Sequence, residues 1–232
     1  MRKLAHKIKR VIRVLIGKDF FLKAEYVCPK ERVGSIYGGW DIASGKIDKN
    51  SIVYSFGVGK DVSFDVALID KFNLHIYAFD PTPKSIDWVR NQELPSNFVF
   101  FEYGLADSDG DVVFNPPKNP GHVSHTILAG PITKAKTFSV PVKRLSTIMQ
   151  ELRHNRIDIL KMDIEGAEYG VIDDIEKSDI RPQQILVEFH HRFPNVGIKK
   201  TKASIQKIKN LGYHLFSVSA SGEEYSFIRK DI

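Results

Sequence analysis

The densest chemistry in this 232-residue chain lies at residues 158–168, where Asp163, Glu165 and Glu168 follow an apolar run and surround Gly166. Carboxylates at the end of a strand can accept protons, hold a cation or take hydrogen bonds from hydroxyls. Lys161 lies within the run, among Ile159, Leu160 and Met162. A buried ammonium there needs a partner. A second group follows at Glu188, His190 and His191. The spacing Glu188-x-His190 puts those two side chains on one strand face. An imidazole beside carboxylates suits proton transfer or a divalent cation. The expected arrangement makes His190 the general base, with Glu188 and Asp163 orienting it, or uses Asp163, Glu188 and His190 as metal ligands. A plainer alternative is a buried, hydrogen-bonded pair. His191 faces the other way and reads as structural.

Gly57-Val58-Gly59 is a third place where chemistry is legible, with Asp80 lying 21 residues beyond Gly59. Paired glycines let a ligand approach the backbone, and an acid after the next strand accepts hydrogen bonds from ribose hydroxyls. A dinucleotide fingerprint needs a third glycine at position 62, which is Val62. The shorter pattern suits an adenosyl ligand without phosphates, such as S-adenosylmethionine. Its carboxylate is expected on the free amides of residues 61–63. The plainer alternative is a tight turn and a helix-capping aspartate.

The elements that must position these groups alternate. Residues 51–56, 74–79, 97–103, 137–142, 157–164 and 183–189 read as strands, and residues 61–69, 82–89, 145–152 and 202–211 as helices. A further helix after Gly166 would bury Ala167, Val171, Ile172 and Ile175. Such βαβ units give a mostly parallel α/β sheet with ligands at its carboxyl end. Residues 213–218 and 224–229 read as a closing antiparallel hairpin. Asp61 is the expected N-cap of the first domain helix. Asp109-Gly110 is a hairpin signal, with residues 111–114 returning. Residues 115–136, with His122 and His125, form a long loop. Residues 19–50 read as irregular, and Tyr37-Gly38-Gly39-Trp40 there either covers a planar ligand or is a packed turn.

One cysteine, Cys28, excludes an intrachain disulfide and a multi-cysteine zinc site, and fits a reducing cytoplasm. Of the net charge of +6, residues 1–18 carry seven basic groups and no acid, so the rest of the chain nets −1. A near-neutral body argues against a nucleic-acid groove. On a helical wheel Leu4, Ile8, Val11, Ile12, Leu15 and Ile16 fall on one arc, opposite Arg2, Lys3, Lys9, Arg10 and Arg13. The helix either docks its apolar face on the domain or lies on an anionic membrane surface. Internal docking is the expectation, and the inner membrane face is the alternative. Its apolar run is too short to span a bilayer. The chain divides into residues 1–50, a basic amphipathic helix and cap segment, and residues 51–232, the α/β domain.

The block Lys161-Met162-Asp163-Ile164-Glu165-Gly166-Ala167-Glu168 resembles the signature of FkbM-type methyltransferases. Supporting similarity runs from about Ile52 to Phe193, through Phe79-Asp80-Pro81, Leu105-Ala106-Asp107 and Leu186-Val187-Glu188-Phe189-His190. The resemblance implies a Rossmann-like class I fold, with a seven-stranded mostly parallel sheet, a C-terminal antiparallel hairpin and helices on both faces. It implies S-adenosylmethionine-dependent methyl transfer, mostly to hydroxyls of sugars, glycans and secondary metabolites. The candidate cofactor residues are then Phe56, Gly57, Gly59, Asp61, Ser63, Asp80, Pro81, Gly104, Leu105 and Asp163. The catalytic candidates are His190, Asp163, Glu188 and Lys161. A divalent metal stays open, with Asp163, Glu188 and His190 as its ligands. Two departures stand out: Ser55 occupies a place where the family often has an acid, and Asp80 replaces the commoner glutamate. Competing expectations are a nucleic-acid or protein methyltransferase, and a non-catalytic module of the same fold at a membrane.

Overall fold

A computed structural model describes residues 2–114, 137–193 and 195–230. After α1 (Arg2–Leu15) come two three-residue strands, β1 (Glu31–Val33) and β2 (Trp40–Ile42), and one 3-10 turn (Ser44–Lys46). The alternation then begins: β3 (Ile52–Phe56), α2 (Ser63–Phe72), β4 (His75–Phe79), α3 (Pro83–Arg90) and β5 (Phe98–Phe101). Three strands follow, β6 (Gly104–Leu105), β7 (Gly110–Phe114) and β8 (Phe138–Lys143). The pattern resumes with α4 (Leu145–Glu151), β9 (Ile159–Met162), α5 (Glu168–Lys177), β10 (Gln184–Glu188) and α6 (Gly197–Asn210), and closes with β11 (Tyr213–Val218) and β12 (Glu224–Arg229).

The large sheet has seven strands in the order β11-β12-β10-β9-β3-β4-β5. Strands β10, β9, β3, β4 and β5 are parallel, and β12 runs antiparallel to both β10 and β11. Successive strand residues point to opposite faces, so the sheet feeds two cores. Tyr54, Phe56, Leu160 and Met162 pack with α5 and α6 on one side, while Val53, Ile159, Ile76 and Leu186 pack with α2 on the other. Strands buried on both faces must be nearly all apolar. This is why Ile159–Met162 is fully buried, and why Lys161 stands out within it. The expected helix after Gly166 buries Ala167, Val171, Ile172 and Ile175 as its spacing requires.

Several local expectations are corrected. Residues 19–50 are not wholly irregular: β1 and β2 pair antiparallel, and Val33, Trp40, Ile42 and Ile47 join the core beneath α2. The strand after Asp109-Gly110 does not fold back on its predecessor. Instead β7 pairs antiparallel with β8, which also pairs in parallel with β6. Helix α6 starts at Gly197, five residues before the predicted start. Helix α2 begins after Val62 rather than at Asp61, although Asp61 Oδ1 still accepts the Ser63 amide at 2.8 Å. Helix α1 does not dock by its apolar face, since Ile8, Val11, Ile12, Leu15 and Ile16 are exposed. Residues 115–136, with His122 and His125, and the side chains of Arg2, Lys3 and Leu4 lie outside the described residues.

Candidate active site

The switch in strand order falls between β3 and β9, whose following helices cover opposite faces of the sheet. A crevice opens there at the carboxyl ends of the strands. The Asp163 amide donates to Phe56 O at 3.1 Å, so the two chain crossings are bonded to each other. Gly57 has φ +81°, and a Cβ at that position would lie 1.8 Å from Asp163 O. Only glycine fits there. A cavity of about 1080 Å³ spreads from this crossing. It is lined by the glycine turn, by Asp80 and Pro81 after β4, by Gly104 and Leu105, and by Asp163, Glu165, Glu188 and His190. Phe56 and Phe79, stacked at 4.4 Å between ring centres, add apolar wall. Every predicted cofactor residue except Ser63 lines this space.

The polar contacts refine those roles. Asp80 is buried, and Oδ2 accepts the Gly59 amide at 2.9 Å. Its Oδ1 accepts both the amide and the hydroxyl of Thr82. A carboxylate offers about four acceptor sites, so three are engaged and one remains for a ribose hydroxyl. The shorter aspartate is drawn back onto the glycine turn and holds it. The amides of Asp61 and Ser63, expected to be free for a carboxylate, are taken by Val58 O and Asp61 Oδ1. Ser63 instead accepts the Ser35 amide at 3.0 Å, and Asp61 accepts the Ser35 hydroxyl at 3.2 Å. These bonds clip the 34–40 loop over the glycine turn, with Tyr37 and Gly38 lining the cavity and Trp40 buried behind.

Lys161 finds its partners in the same turn. Its ammonium donates to Gly57 O at 2.9 Å and Phe56 O at 3.4 Å. Ser55 is its register partner on β3. Asp65 is buried on α2, and burial raises its pKa while the Lys161 charge and the Ser55 hydroxyl oppose the rise. Asp65 thus sets a carboxyl beneath the sheet beside Ser55 and Lys161, outside the cavity lining, and Lys161 braces the glycine turn from below.

Asp163, Glu165 and His190 converge on one spot, with one ligand atom from each within 4.8 Å of the others. His190 Nε2 lies 3.3 Å from Glu165 and 3.6 Å from Asp163. Behind the imidazole, Glu168 Oε1 lies 3.2 Å from Nδ1 and accepts the His190 backbone amide at 2.9 Å. The other Glu168 oxygen accepts the Gly166 amide at 2.8 Å. A carboxylate behind a histidine fixes the ring and aims its other nitrogen. Glu165 has φ +52°, a conformation costly for a side-chain-bearing residue and concentrated at functional sites.

Two sequence expectations change here. Glu165, not Glu188, completes the potential metal-binding group, and Glu168, not Glu188, orients His190. Burial and the Asp163 charge push the Glu188 carboxyl well above the usual carboxylate range, and Glu188 lies outside the Asp163–Glu165–His190 group. Burial also disfavours a charged His190, but the hydrogen bond to Glu168 and the charges of Glu168, Glu165 and Asp163 outweigh it and hold its pKa well above the ordinary value. These charges favour the protonated imidazole, and Asp163 and Glu165 stand beside it as further proton acceptors. The roles of Glu165 and Glu168 were missed. The only available signal was their place in the 161–168 block. His191 lies buried 3.3 Å from Asp19, away from the cavity lining, as expected.

Glu224 on the far wall gives a pH test. Burial lifts its pKa to about 7, with Asp163, Asp41 and Glu223 adding to the rise and Arg32 opposing it. A carboxyl raised on folding stabilises fully below its unfolded value, and that contribution is lost as pH rises through the folded one. Glu224→Gln removes this loss. Urea melts at pH 5 and pH 8 are expected to show the variant gaining on the wild type as pH rises, and an unchanged difference refutes the assignment.

This strand order, with a glycine turn after the first central strand, an acid after the second and carboxylates after the fourth, defines a class I methyltransferase fold of the S-adenosylmethionine-dependent kind. Residues 51–215 match the methyltransferase FkbM domain family, and the chain belongs to that family. Among curated proteins it is similar to probable methyltransferase-like protein 24 of Homo sapiens, at 24% identity over 80% of this chain and 47% of that protein. It is also similar to the hexuronic acid methyltransferase AglP of Haloferax volcanii, at 24% identity over 56% of each. A third relative is the 2-O-methyltransferase NoeI of Sinorhizobium fredii, at 25% identity over 49% of this chain and 53% of that one. The chain spans about half the length of the curated relatives it matches. Among solved structures, the FkbM methyltransferase of Methylobacillus flagellatus KT aligns with TM-score 0.49 and 13% identity over 79% of this chain and 44% of that one.

Proposed function

We propose that the chain is an O-methyltransferase that moves the methyl group of S-adenosylmethionine to a hydroxyl of a sugar, glycan or related metabolite. The observation that carries this reading is that one cavity is lined both by the glycine turn with Asp80 and by the Asp163–Glu165–His190 group. The first wall suits a nucleoside. The second suits a hydroxyl that must lose its proton. The names of two relatives, a hexuronic acid methyltransferase and a 2-O-methyltransferase, support a sugar hydroxyl.

In the proposed reaction the S–CH₃ bond breaks as the O–CH₃ bond forms, leaving S-adenosylhomocysteine. The sulfonium is already activated, so the protein's task is alignment and removal of one proton. Phe56, Gly57, Gly59, Asp80, Pro81, Gly104 and Leu105 seat the nucleoside. Asp163, at the crossing of the two walls, lies between donor and acceptor, and with Glu165 it receives the hydroxyl proton. Glu168 holds His190 against these carboxylates. A divalent cation in place of the His190 proton would be held by Asp163, Glu165 and the neutral imidazole and would acidify the acceptor hydroxyl. Lys161 positions the glycine turn.

Calorimetry with S-adenosylhomocysteine and transfer of labelled methyl to uronic acids and other glycosides, with and without chelator, test this reading. Cofactor binding and label in an alkali-stable ether are expected. No binding by folded protein sinks the proposal, and transfer unaffected by chelator removes the cation from it.

A further inference from the structure

Helix α1 touches the domain through a polar side. Arg10 is buried; it donates to Phe20 O at 2.9 Å and Ser219 O at 3.4 Å, and lies 3.8 Å from Asp19. Its guanidinium is packed against Gly222, where a Cβ would lie 2.2 Å away. Helical spacing puts Ile8, Val11, Ile12 and Leu15 on the opposite side, and they are 53%, 44%, 54% and 80% exposed. Ile16 extends the strip at 59%. A helix that completes a core shows the reverse arrangement, and an apolar strip of this kind marks an interaction surface. The same segment, residues 1–18, carries seven basic groups and no acid, against −1 for the rest of the chain. Pairing this strip with a second copy would bring like charges together, whereas an anionic surface neutralises them.

We propose that α1 docks on an anionic phospholipid surface, with Ile8, Val11, Ile12 and Leu15 in the headgroup–acyl boundary and Lys9, Arg13 and Lys18 among the headgroups. No helix in the described residues is long and apolar enough to cross a membrane, so α1 lies in the interface. Ser219, to which Arg10 is bonded, lines the active-site cavity together with Ala220 and Ser221. That wall therefore stands about one helix diameter, roughly 10–12 Å, from the lipid. On the methyl-transfer reading above, on which this step rests, the acceptor hydroxyl is one presented at the membrane surface, on a lipid-carried sugar.

The test is co-sedimentation of the full chain with vesicles of phosphatidylcholine alone or mixed with phosphatidylglycerol. The comparison is the triple variant Ile8→Gln, Ile12→Gln, Leu15→Gln, which leaves every charge in place. The wild type is expected to sediment with the anionic vesicles only, and the variant to bind about tenfold less or weaker still, with unchanged S-adenosylhomocysteine affinity. Wild type left in the supernatant overturns the proposal, as does undiminished binding by the variant. Self-association in sedimentation velocity that the variant loses, without vesicle binding, assigns the strip to a second copy instead. Methyl transfer to glycolipid in vesicles is expected to exceed transfer to the free headgroup sugar, and equal rates remove the membrane-borne acceptor. Absence of cofactor binding would end the methyl-transfer reading while sedimentation still decides the docking.

Discussion

Gly57→Ala is expected to weaken S-adenosylhomocysteine binding by on the order of 100-fold or more. The added Cβ would lie 1.8 Å from Asp163 O and 2.8 Å from Asp163 C, both backbone atoms that no rotamer change can move. At φ +81° the alanine also carries left-handed strain of about 1–2 kcal/mol. Relief requires β3 and β9 to part at the end where Asp163 N bonds Phe56 O. That movement displaces the Gly57 and Phe56 carbonyls held by Lys161. Gly59→Ala is the comparison for the ligand-free fold. Gly59 has φ +58°, but a Cβ there meets no protein atom within 4 Å, so its stability cost is conformational alone. Its place in the cavity lining still sets the added methyl against the cofactor. Calorimetry on both variants, with circular dichroism to confirm folding, decides the matter. Wild-type affinity in Gly57→Ala would show that the crossing does not form the cofactor wall.

Glu168→Ala is expected to have the largest effect on stability. Glu168 is fully buried and accepts from the Gly166 amide, the His190 amide and the His190 ring. Removing one partner of a buried charge pair costs about 3–5 kcal/mol. In a chain of this size that is a fall in melting temperature of roughly 6–20 °C. Glu168→Gln preserves the volume and one acceptor oxygen, so a smaller loss is expected. Transfer activity should fall in both variants, because His190 Nε2 is no longer aimed at Asp163 and Glu165. Melting by differential scanning calorimetry, at saturating and zero S-adenosylhomocysteine, gives the comparison. A wild-type melting temperature in the alanine variant refutes the role assigned to Glu168.

What could be read beforehand followed from patterns that a single strand or helix carries by itself. Residues 213–218 and 224–229 were legible to the residue, because each is a strand with one clear turn between them. The approach of Gly57 to Asp163 followed from glycine placement after one central strand and acids after another. The misses share a different cause. Strands of three residues, such as β1 and β2, have no periodicity to detect. The partner of β7 is chosen across the 115–136 segment, by tertiary contacts rather than by the Asp109-Gly110 turn. Helix α6 starts at Gly197 with no side-chain cap to announce it. The wheel of α1 was right and its orientation wrong, because Arg10 found buried carbonyls that outweighed the pull of five aliphatic side chains. Glu165 reaches His190 from a left-handed conformation that strand-face counting cannot foresee.

The pairing of β3 with β9 also bears on how the chain is made. Ile52 donates its amide to Asp158, 106 residues later in the sequence. At ordinary synthesis rates of about 5–20 residues per second, β3 waits roughly 5–20 s on the ribosome before its neighbour emerges. During that interval an apolar strand destined for the middle of the sheet has one open edge, a ready template for aggregation. Production of this protein is therefore expected to depend on chaperones that cover exposed strands during synthesis more than its final stability would suggest.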